Sequence, residues 1–342
     1  MTMRWFAAFL LLAPFAWSGS TEEDWAAITA LDRGPQVQAR SAAEARQIAG
    51  EHLDRQERAL RGFIAAHAAD PQAFEARLRL VRLLEIRGGF QGSEKARIEA
   101  KQLLEALEKS ATPEQRVEVA FARVTRLMRG AQKAPAAMRE PLLTEARRFQ
   151  VEHPGDRRVA LLLAEVATLF DSQPKVKLAL LNDANALATE PGLKGRIADD
   201  FKRLDLIGQV PKISFTSIQG REVKLEDFRG RPVLVVFFAD FSPPSTEALG
   251  RLQNSLATLP KGSVAALGVN LDRKREALDA VMKSTRLGWP VAFDGKSWDG
   301  ELVRSLGINA LPTVWLLDKQ GKLRSLNALE DTAVQARQLL SE

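Results

Sequence analysis

The sequence predicts an all-α region followed by an α/β domain. Its 342 residues exceed the length of one ordinary domain, and 45% of them are hydrophobic, which favours two core-forming units. Over residues 21–206, apolar residues recur at the three- and four-residue spacing of an amphipathic helix. From about residue 207, short apolar runs alternate with helical segments, which is the pattern of α/β layering.

The first 18 residues have the pattern of a secretory signal peptide. A basic start at Arg4 precedes an apolar stretch over residues 5–17, and small residues surround a cleavage point after Ser18 or Ser20. The alternative is an uncleaved membrane anchor, but this stretch falls short of the ~20 apolar residues that span a bilayer. We therefore expect an exported, periplasmic or extracytoplasmic protein with no stable membrane anchor after cleavage.

Charge and composition argue against nucleic-acid binding. The net charge is +6, from 49 basic and 43 acidic residues, and the two signs alternate along most helices. Tyrosine is absent, and no basic run is interleaved with aromatic residues as a stacking surface requires. Short basic clusters at residues 147–148, 157–158 and 273–275 could touch anionic lipid or a cell-surface polymer, but nothing in the sequence requires it. We expect a solvated surface of mixed charge.

Helical hairpins are predicted for the first region. Ser41 and Glu44 have the spacing of a capping box before a long helix, and Asp70-Pro71 restarts a helix with Asp70 as its cap. About four such hairpins follow one another along the chain. They resemble a degenerate tetratricopeptide-type solenoid, and an irregular α-helical bundle fits the pattern nearly as well. A solenoid offers protein partners a docking surface, whereas the alternative role is that of a structural spacer.

Strands and intervening helices are predicted for the second region. A small hairpin turns at Gln219-Gly220, and residues 233–238 form a continuous β-branched and aromatic run, typical of a central strand buried on both faces. Further strands are predicted at residues 264–269, 290–293 and 313–317, with helices at residues 246–259, 273–285 and 298–306. A last strand follows residues 318–321, and a helix from about Asp331 closes the chain.

Four motifs of the second region occur in a recognisable order. They are Leu225-Glu226-Asp227-Phe228-Arg229-Gly230-Arg231-Pro232, then Phe237-Phe238-Ala239-Asp240-Phe241-Ser242-Pro243-Pro244-Ser245, then Gly268-Val269-Asn270-Leu271-Asp272, and finally Gly307-Ile308-Asn309-Ala310-Leu311-Pro312-Thr313. Together they resemble the TlpA-like, AhpC/TSA-related thiol–disulfide oxidoreductases of the thioredoxin superfamily. The resemblance implies a thioredoxin-like α/β sandwich, a redox loop of the form F-W-A-x-W-C-P-P-C, and a loop carrying a cis-proline.

This sequence differs from that family at the residues that carry out the redox reaction. Ser242 and Ser245 stand in place of both cysteines, Phe241 replaces the tryptophan before the first, and the whole chain contains no cysteine. A hydroxyl is not readily ionised near neutral pH and forms no covalent link to a second hydroxyl. Thiol–disulfide exchange, which needs an attacking thiolate and a leaving sulfur, is therefore excluded.

The sequence also lacks the residues that would make Ser242 a catalytic nucleophile. A serine nucleophile needs a positioned base, and the only histidines, His52, His67 and His153, lie in the helical region. Asp240 and Glu247 are near Ser242 in sequence, but nothing places either as a base. We expect Ser242 and Ser245 to be loop and cap residues that preserve the turn.

The sequence predicts no metal site, no cofactor site and no aromatic surface for a small ligand. No histidine pair has ligand spacing, and Asp294, Asp299 and Glu301 have the pattern of solvated turn and cap residues. No phosphate-binding glycine loop is present. Trp289 and Trp298 are expected to pack in the core.

The resulting hypothesis divides the chain into a signal peptide at residues 1–18, an α-helical repeat-like domain at residues 19–206 and a thioredoxin-like domain at residues 207–342. The protein is expected to bind a protein or peptide without turnover, with Phe241, Leu311 and Pro312 forming the peptide groove and Ser242-Pro243-Pro244-Ser245 as a degenerate redox motif. One alternative is a redox or peroxidase-type enzyme, against which the missing cysteines argue. Another is a purely architectural module whose helices make the contacts.

Overall fold

The computed structural model describes residues 20–131 and 135–342. The predicted signal peptide lies outside these ranges. None of the helices within them combines the length and apolar character that a bilayer-spanning segment needs. The described residues divide into two compact units, the first ending at Phe149 and the second comprising residues 150–342.

The first unit is built from helices packed in series. The helices that begin in it are α1 Thr21–Leu31, α2 Ala42–Ala66, α3 Gln72–Phe90, α4 Glu94–Ser110, α5 Pro113–Ala131 and α6 Pro135–Glu152, the last of which runs across the division. α1 packs on α2, α2 on α3 and α3 on α4, while α5 contacts both α3 and α4. Leu78, Val81 and Leu84 of α3 are buried in the core with Phe63 of α2. These contacts confirm a helical region, while the tetratricopeptide-like interpretation stays a prediction.

Side-chain caps fix where several of these helices begin. The carboxylate of Asp70 accepts the backbone N–H of Gln72 at 2.7 Å, but α3 begins at Gln72 with Pro71 as its N-cap, so the predicted helix start is one residue too early. Ser41 Oγ accepts the N–H of Glu44 at 3.1 Å, but the Glu44 carboxylate accepts the N–H of Arg40 at 2.6 Å and not that of Ser41. The predicted capping box is therefore wrong in its return arm, because Glu44 reaches one residue further back.

The second unit begins with three more helices, α7 Arg158–Ala167, α8 Pro174–Leu187 and α9 Pro191–Asp205. α7 packs on α8 and α8 on α9. Secondary structure changes from helix to strand after α9, where the sequence predicted a domain boundary, yet α7, α8 and α9 belong to the same compact unit as the strands. Separate folding of the two predicted domains stays a prediction.

The rest of the second unit is a thioredoxin-like domain with a mixed sheet. Its strands and helices, in chain order, are β1 Ser214–Thr216, β2 Glu222–Lys224, β3 Val233–Phe238, α10 Pro243–Ala257, β4 Ala265–Asn270, α11 Arg275–Thr285, β5 Val291–Phe293, α12 Glu301–Ser305, β6 Thr313–Leu317, β7 Leu323–Ser325 and α13 Thr332–Ser341. β1 and β2 form an antiparallel hairpin, and the five-stranded sheet has the order β5-β4-β3-β6-β7. β4 runs parallel to β3, and β6 runs antiparallel to it.

The helix predicted at residues 298–306 is wrong over its first three residues. A 3₁₀ turn at Ser297–Asp299 precedes α12, and Gly300 between them has φ −58° and ψ 137°, which is extended backbone. A Cβ at Gly300 would lie 2.7 Å from a carboxylate oxygen of Asp294. The break follows from this crowded, extended glycine, and it separates Trp298 from the helix.

We expect a fragment of residues 150–342 to be more stable than one of residues 207–342. The shorter fragment lacks Leu204 and Leu206, which pack on the sheet core, and Arg203, whose guanidinium donates to Gly307 O at 3.2 Å. The lost burial of Leu204 and Leu206 is expected to lower the free energy of unfolding by at least about 2 kcal/mol. Urea denaturation followed by circular dichroism measures it. Equal free energies of unfolding would show that α7, α8 and α9 are independent of the sheet.

Candidate functional site

The degenerate motif lies at the carboxyl end of the central strand. All six residues of β3 are buried, after which residues 239–242 lead into α10. Phe237 of β3 pairs with Thr313 of β6 in antiparallel register, so Pro312, just before β6, lies at the same edge of the sheet as the loop. The Leu311–Pro312 peptide bond is cis. The fold therefore brings Phe241, Ser242, Leu311 and Pro312 to one end of the sheet.

A buried polar pair holds the loop where it leaves β3. Both carboxylate oxygens of Asp272 accept the backbone N–H of Asp240 at 3.0 Å, and Asn270 Nδ2 donates to Asp272 at 2.7 Å. The N–H of Asp272 donates back to Asn270 Oδ1 at 3.0 Å. The sequence motif containing Asn270 and Asp272 was recognised, but no role was assigned to either residue. The sequence signal for their role was the presence of two polar side chains at the end of an otherwise apolar strand.

The two serines occupy different environments. Ser242 is half-buried and is the N-cap residue of α10, as expected, but its side chain makes no capping hydrogen bond. Its φ of −115° and ψ of 89° and the preceding loop set the helix start instead. Ser245 is fully buried, and its hydroxyl finds no hydrogen-bond partner in the described ranges.

The first turn of α10 gives little support to an anion on Ser242. Pro243 and Pro244 have no backbone N–H, and the N–H of Ser245 donates to Ser242 O at 2.8 Å. His67 lies in the first unit, and both of its ring nitrogens contact residues of that unit. Nε2 is 2.7 Å from an Asp24 carboxylate oxygen and Nδ1 is 3.3 Å from Thr21 Oγ1. Asp240 and Glu247 are exposed. No described contact gives Ser242 a base.

The acidic residues Asp294, Asp299 and Glu301 lie in turns or at a helix start, as expected. Asp294 accepts the N–H of Lys296 at 2.8 Å, and Asp299 lies 3.9 Å from the Arg273 guanidinium at the surface. Glu301 lies in the first turn of α12. Across the described residues, no group of three or more histidine and carboxylate side chains is placed to hold a metal ion.

An exposed aromatic pair, Phe241 and Trp298, borders the loop. Phe241 is 55% exposed and Trp298 38% exposed, with ring centroids 6.4 Å apart and planes tilted by 57°. The expectation that Trp298 packs in the core is wrong, because the break at Gly300 leaves it on a turn. Trp289 is half-buried against the core, as expected. The turn residues Asp294-Gly295-Lys296-Ser297 before Trp298 were the sequence signal for its exposure.

Residues 207–326 match the AhpC/TSA family. This segment, about a third of the chain, lies within the thioredoxin-like domain. The resemblance inferred from the four motifs is thereby confirmed. The match covers the strands of the second unit and leaves out α1 to α9.

Curated relatives carry names of oxidoreductases. The chain is 24% identical over 141 residues to the thiol-disulfide oxidoreductase ResA of Bacillus thuringiensis, which covers 41% of this chain and 80% of ResA. It is 25% identical over 129 residues to the sporulation thiol-disulfide oxidoreductase A of Bacillus subtilis, over 37% of this chain and 76% of that protein.

Solved structures resemble the same part of the chain. The thioredoxin domain of a thiol-disulfide oxidoreductase from Bacteroides vulgatus is 22% identical with a TM-score of 0.35, covering 39% of this chain and 95% of that domain. A secreted thiol-disulfide isomerase from Corynebacterium glutamicum is 24% identical with a TM-score of 0.34, covering 39% and 86%.

We expect the Ser245→Ala variant of this AhpC/TSA-type domain to be more stable than the wild type. A buried hydroxyl without a partner carries a desolvation cost of about 1–3 kcal/mol, and alanine is the better helix former. The free energy of unfolding, measured by urea denaturation, should rise by about 1 kcal/mol. Ser242→Ala is the matched control and should change it by less than about 0.5 kcal/mol, because Ser242 makes no capping bond. A loss of stability in Ser245→Ala would contradict the assignment of an unpartnered hydroxyl.

Proposed function

We propose that this protein is an exported, redox-inactive thioredoxin-like protein that binds extended peptide or protein segments at the carboxyl end of β3. The observation that carries the proposal is the exposed aromatic pair beside a redox-type loop without cysteine. The binding site consists of Phe241, Trp298, Leu311 and Pro312.

Redox inactivity follows from the atoms of the motif. Exchange with a disulfide requires a thiolate that attacks one sulfur and displaces the other as a thiolate. The chain has no sulfur nucleophile, since it contains no cysteine and the positions of the motif carry Ser242 and Ser245. The oxidoreductase activity in the names of the relatives is therefore not proposed for this chain.

Peptide binding is supported by the backbone as well as by the aromatic rings. In the part of the chain that the structure describes, neither the amide nor the carbonyl of Leu311 has a backbone hydrogen-bond partner. An extended segment can add to such a backbone as a strand, with its side chains in contact with neighbouring apolar groups. Phe241 and Trp298 provide those groups, because exposed aromatic rings bury a large apolar area on binding at low entropic cost.

Export is proposed from the first 18 residues and from composition. A basic start, an apolar stretch and small residues at the cleavage point are the pattern that directs secretion. A chain without thiols escapes mispairing in an oxidising compartment. A relative described as secreted, the isomerase of Corynebacterium glutamicum, agrees with this location.

We expect the Ser242→Cys/Ser245→Cys variant to gain the chemistry that the wild type lacks. The loop retains its strand-to-helix path, so restoring C-P-P-C should place two thiols at disulfide spacing. Mass spectrometry after mild oxidation should show an intramolecular disulfide, and an insulin-reduction assay should show weak turnover.

Two controls define this prediction. The wild type should show no turnover above background, and Ser245→Cys alone should show little, because Ser245 is buried. Two free thiols in a folded, oxidised double variant would contradict the prediction and would mean that the loop has diverged in shape from the family's redox loop.

We expect replacement of the aromatic pair to weaken binding of an unfolded polypeptide. The probe is fluorescein-labelled, reduced and carboxymethylated α-lactalbumin, whose binding is followed by fluorescence anisotropy. Phe241→Ala/Trp298→Ala should raise the Kd at least about tenfold, equivalent to ~1.4 kcal/mol. Val334→Ala, at an exposed apolar residue of α13 outside the site, is the matched control and should bind like the wild type. Equal affinity of the aromatic variant would move the site elsewhere and favour the architectural alternative.

A further inference from the structure

A buried ion network links α8 and α9 within the second unit. Lys177 of α8 is only 1% exposed, and its ammonium lies 2.5 Å from Asp171 and 2.9 Å from Asp200. Asp200 is buried on α9 and also pairs with the buried Arg203 one turn later. The two buried cations are therefore paired with two carboxylates, the buried one of Asp200 and the half-buried one of Asp171, which satisfies the need to pair buried charges.

The network continues from Arg203 into the loop before β6. Arg203 Nη1 donates to Gly307 O at 3.2 Å and to Asn309 Oδ1. Asn309 Nδ2 donates to the backbone oxygen of Arg196 at 3.2 Å. The loop at residues 307–312, which contains Leu311 and Pro312, is thereby attached to α9 at two residues.

The backbone of α9 also approaches the same loop closely. Gly307 has a φ of +68°, and a Cβ there would lie 2.7 Å from the backbone oxygen of Asp199. Lys202 Nζ donates to Arg304 O at 3.2 Å. Position 307 therefore requires glycine, because its backbone is left-handed and a Cβ would collide with α9. The loop thus lies directly against α9.

We infer that Arg203 is a positioning residue for the peptide site, holding the loop at residues 307–312 against α9 so that Leu311 presents its backbone at the end of β3. This inference rests on the proposed function. Arg203 Nη2 pairs with Asp200 while Nη1 donates to both loop acceptors, and the rigid planar fork of the guanidinium holds these bonds in one fixed geometry. A helix outside the matched AhpC/TSA segment thus contributes to the groove.

The energetics favour a positioning role over simple stabilisation. A buried ion pair gains little net stability over well-packed apolar residues, because desolvation offsets the attraction between the charges. Its directional hydrogen bonds specify where the attached groups lie. Here those groups belong to the loop that carries Leu311.

The test combines two variants with two measurements on the full chain. Arg203→Lys keeps the charge beside Asp200 but removes the fork, and Asn309→Ala removes the loop's acceptor without leaving a buried charge unpaired. We expect both to accelerate amide hydrogen exchange at least tenfold at residues 307–312, with β3 and β4 unchanged. Both should raise the Kd for labelled, carboxymethylated α-lactalbumin about tenfold at a temperature where the protein is fully folded.

The matched control is Arg196→Lys on the same helix. The Arg196 side chain pairs with Glu165 at the surface, while only its backbone oxygen contacts Asn309, so exchange and affinity should match the wild type. A merely structural role would lower the urea midpoint of Arg203→Lys and leave the affinity of the folded protein unchanged, which would overturn the inference. Wild-type exchange at residues 307–312 in both variants would overturn it as well. Accelerated exchange in a protein that never binds the probe would support the attachment to α9 and overturn only the proposed function.

Discussion

Burial of β3 on both faces is the constraint on which the second unit depends. Val233, Val235 and Phe237 lie in one core with Trp315, while Leu234, Val236 and Phe238 lie in the other with residues of α10 and α11. A strand that is apolar at every position has no solvent face, so it must occupy the centre of the sheet and be covered on both sides. Its carboxyl end is then fixed, and with it the loop from Ala239 to Ser242.

The geometry of that loop does not depend on sulfur. Asp272, buried beside Asn270, accepts the Asp240 N–H with both carboxylate oxygens and so fixes the exit from β3. A buried carboxylate that accepts backbone N–H bonds is satisfied without a thiol nearby. The cysteine positions can therefore be occupied by serine while the path into α10 is kept, which explains how a redox-type loop keeps its course without cysteine.

Local patterns were readable from the sequence, and contacts between distant segments were not. The apolar stripe of α3 and the six buried residues of β3 both follow from spacing within one element. The hydrogen bond from Arg203 to Asn309 joins residues 106 apart, and no periodicity marks it. The exposure of Trp298 depends on the extended backbone of Gly300, since tryptophan alone gives no indication of which side of a turn it faces.

Two features of the candidate site oppose stability and thereby bear on its role. Ser245 buries a hydroxyl with no partner among the described residues, and Phe241 with Trp298 leaves large apolar surfaces in water. A domain with a purely architectural role would be more stable with an apolar residue at position 245 and polar residues at positions 241 and 298. Features that cost stability accumulate where binding or catalysis needs them. The proposed binding role makes use of the exposed rings and of the loop that Arg203 attaches to α9.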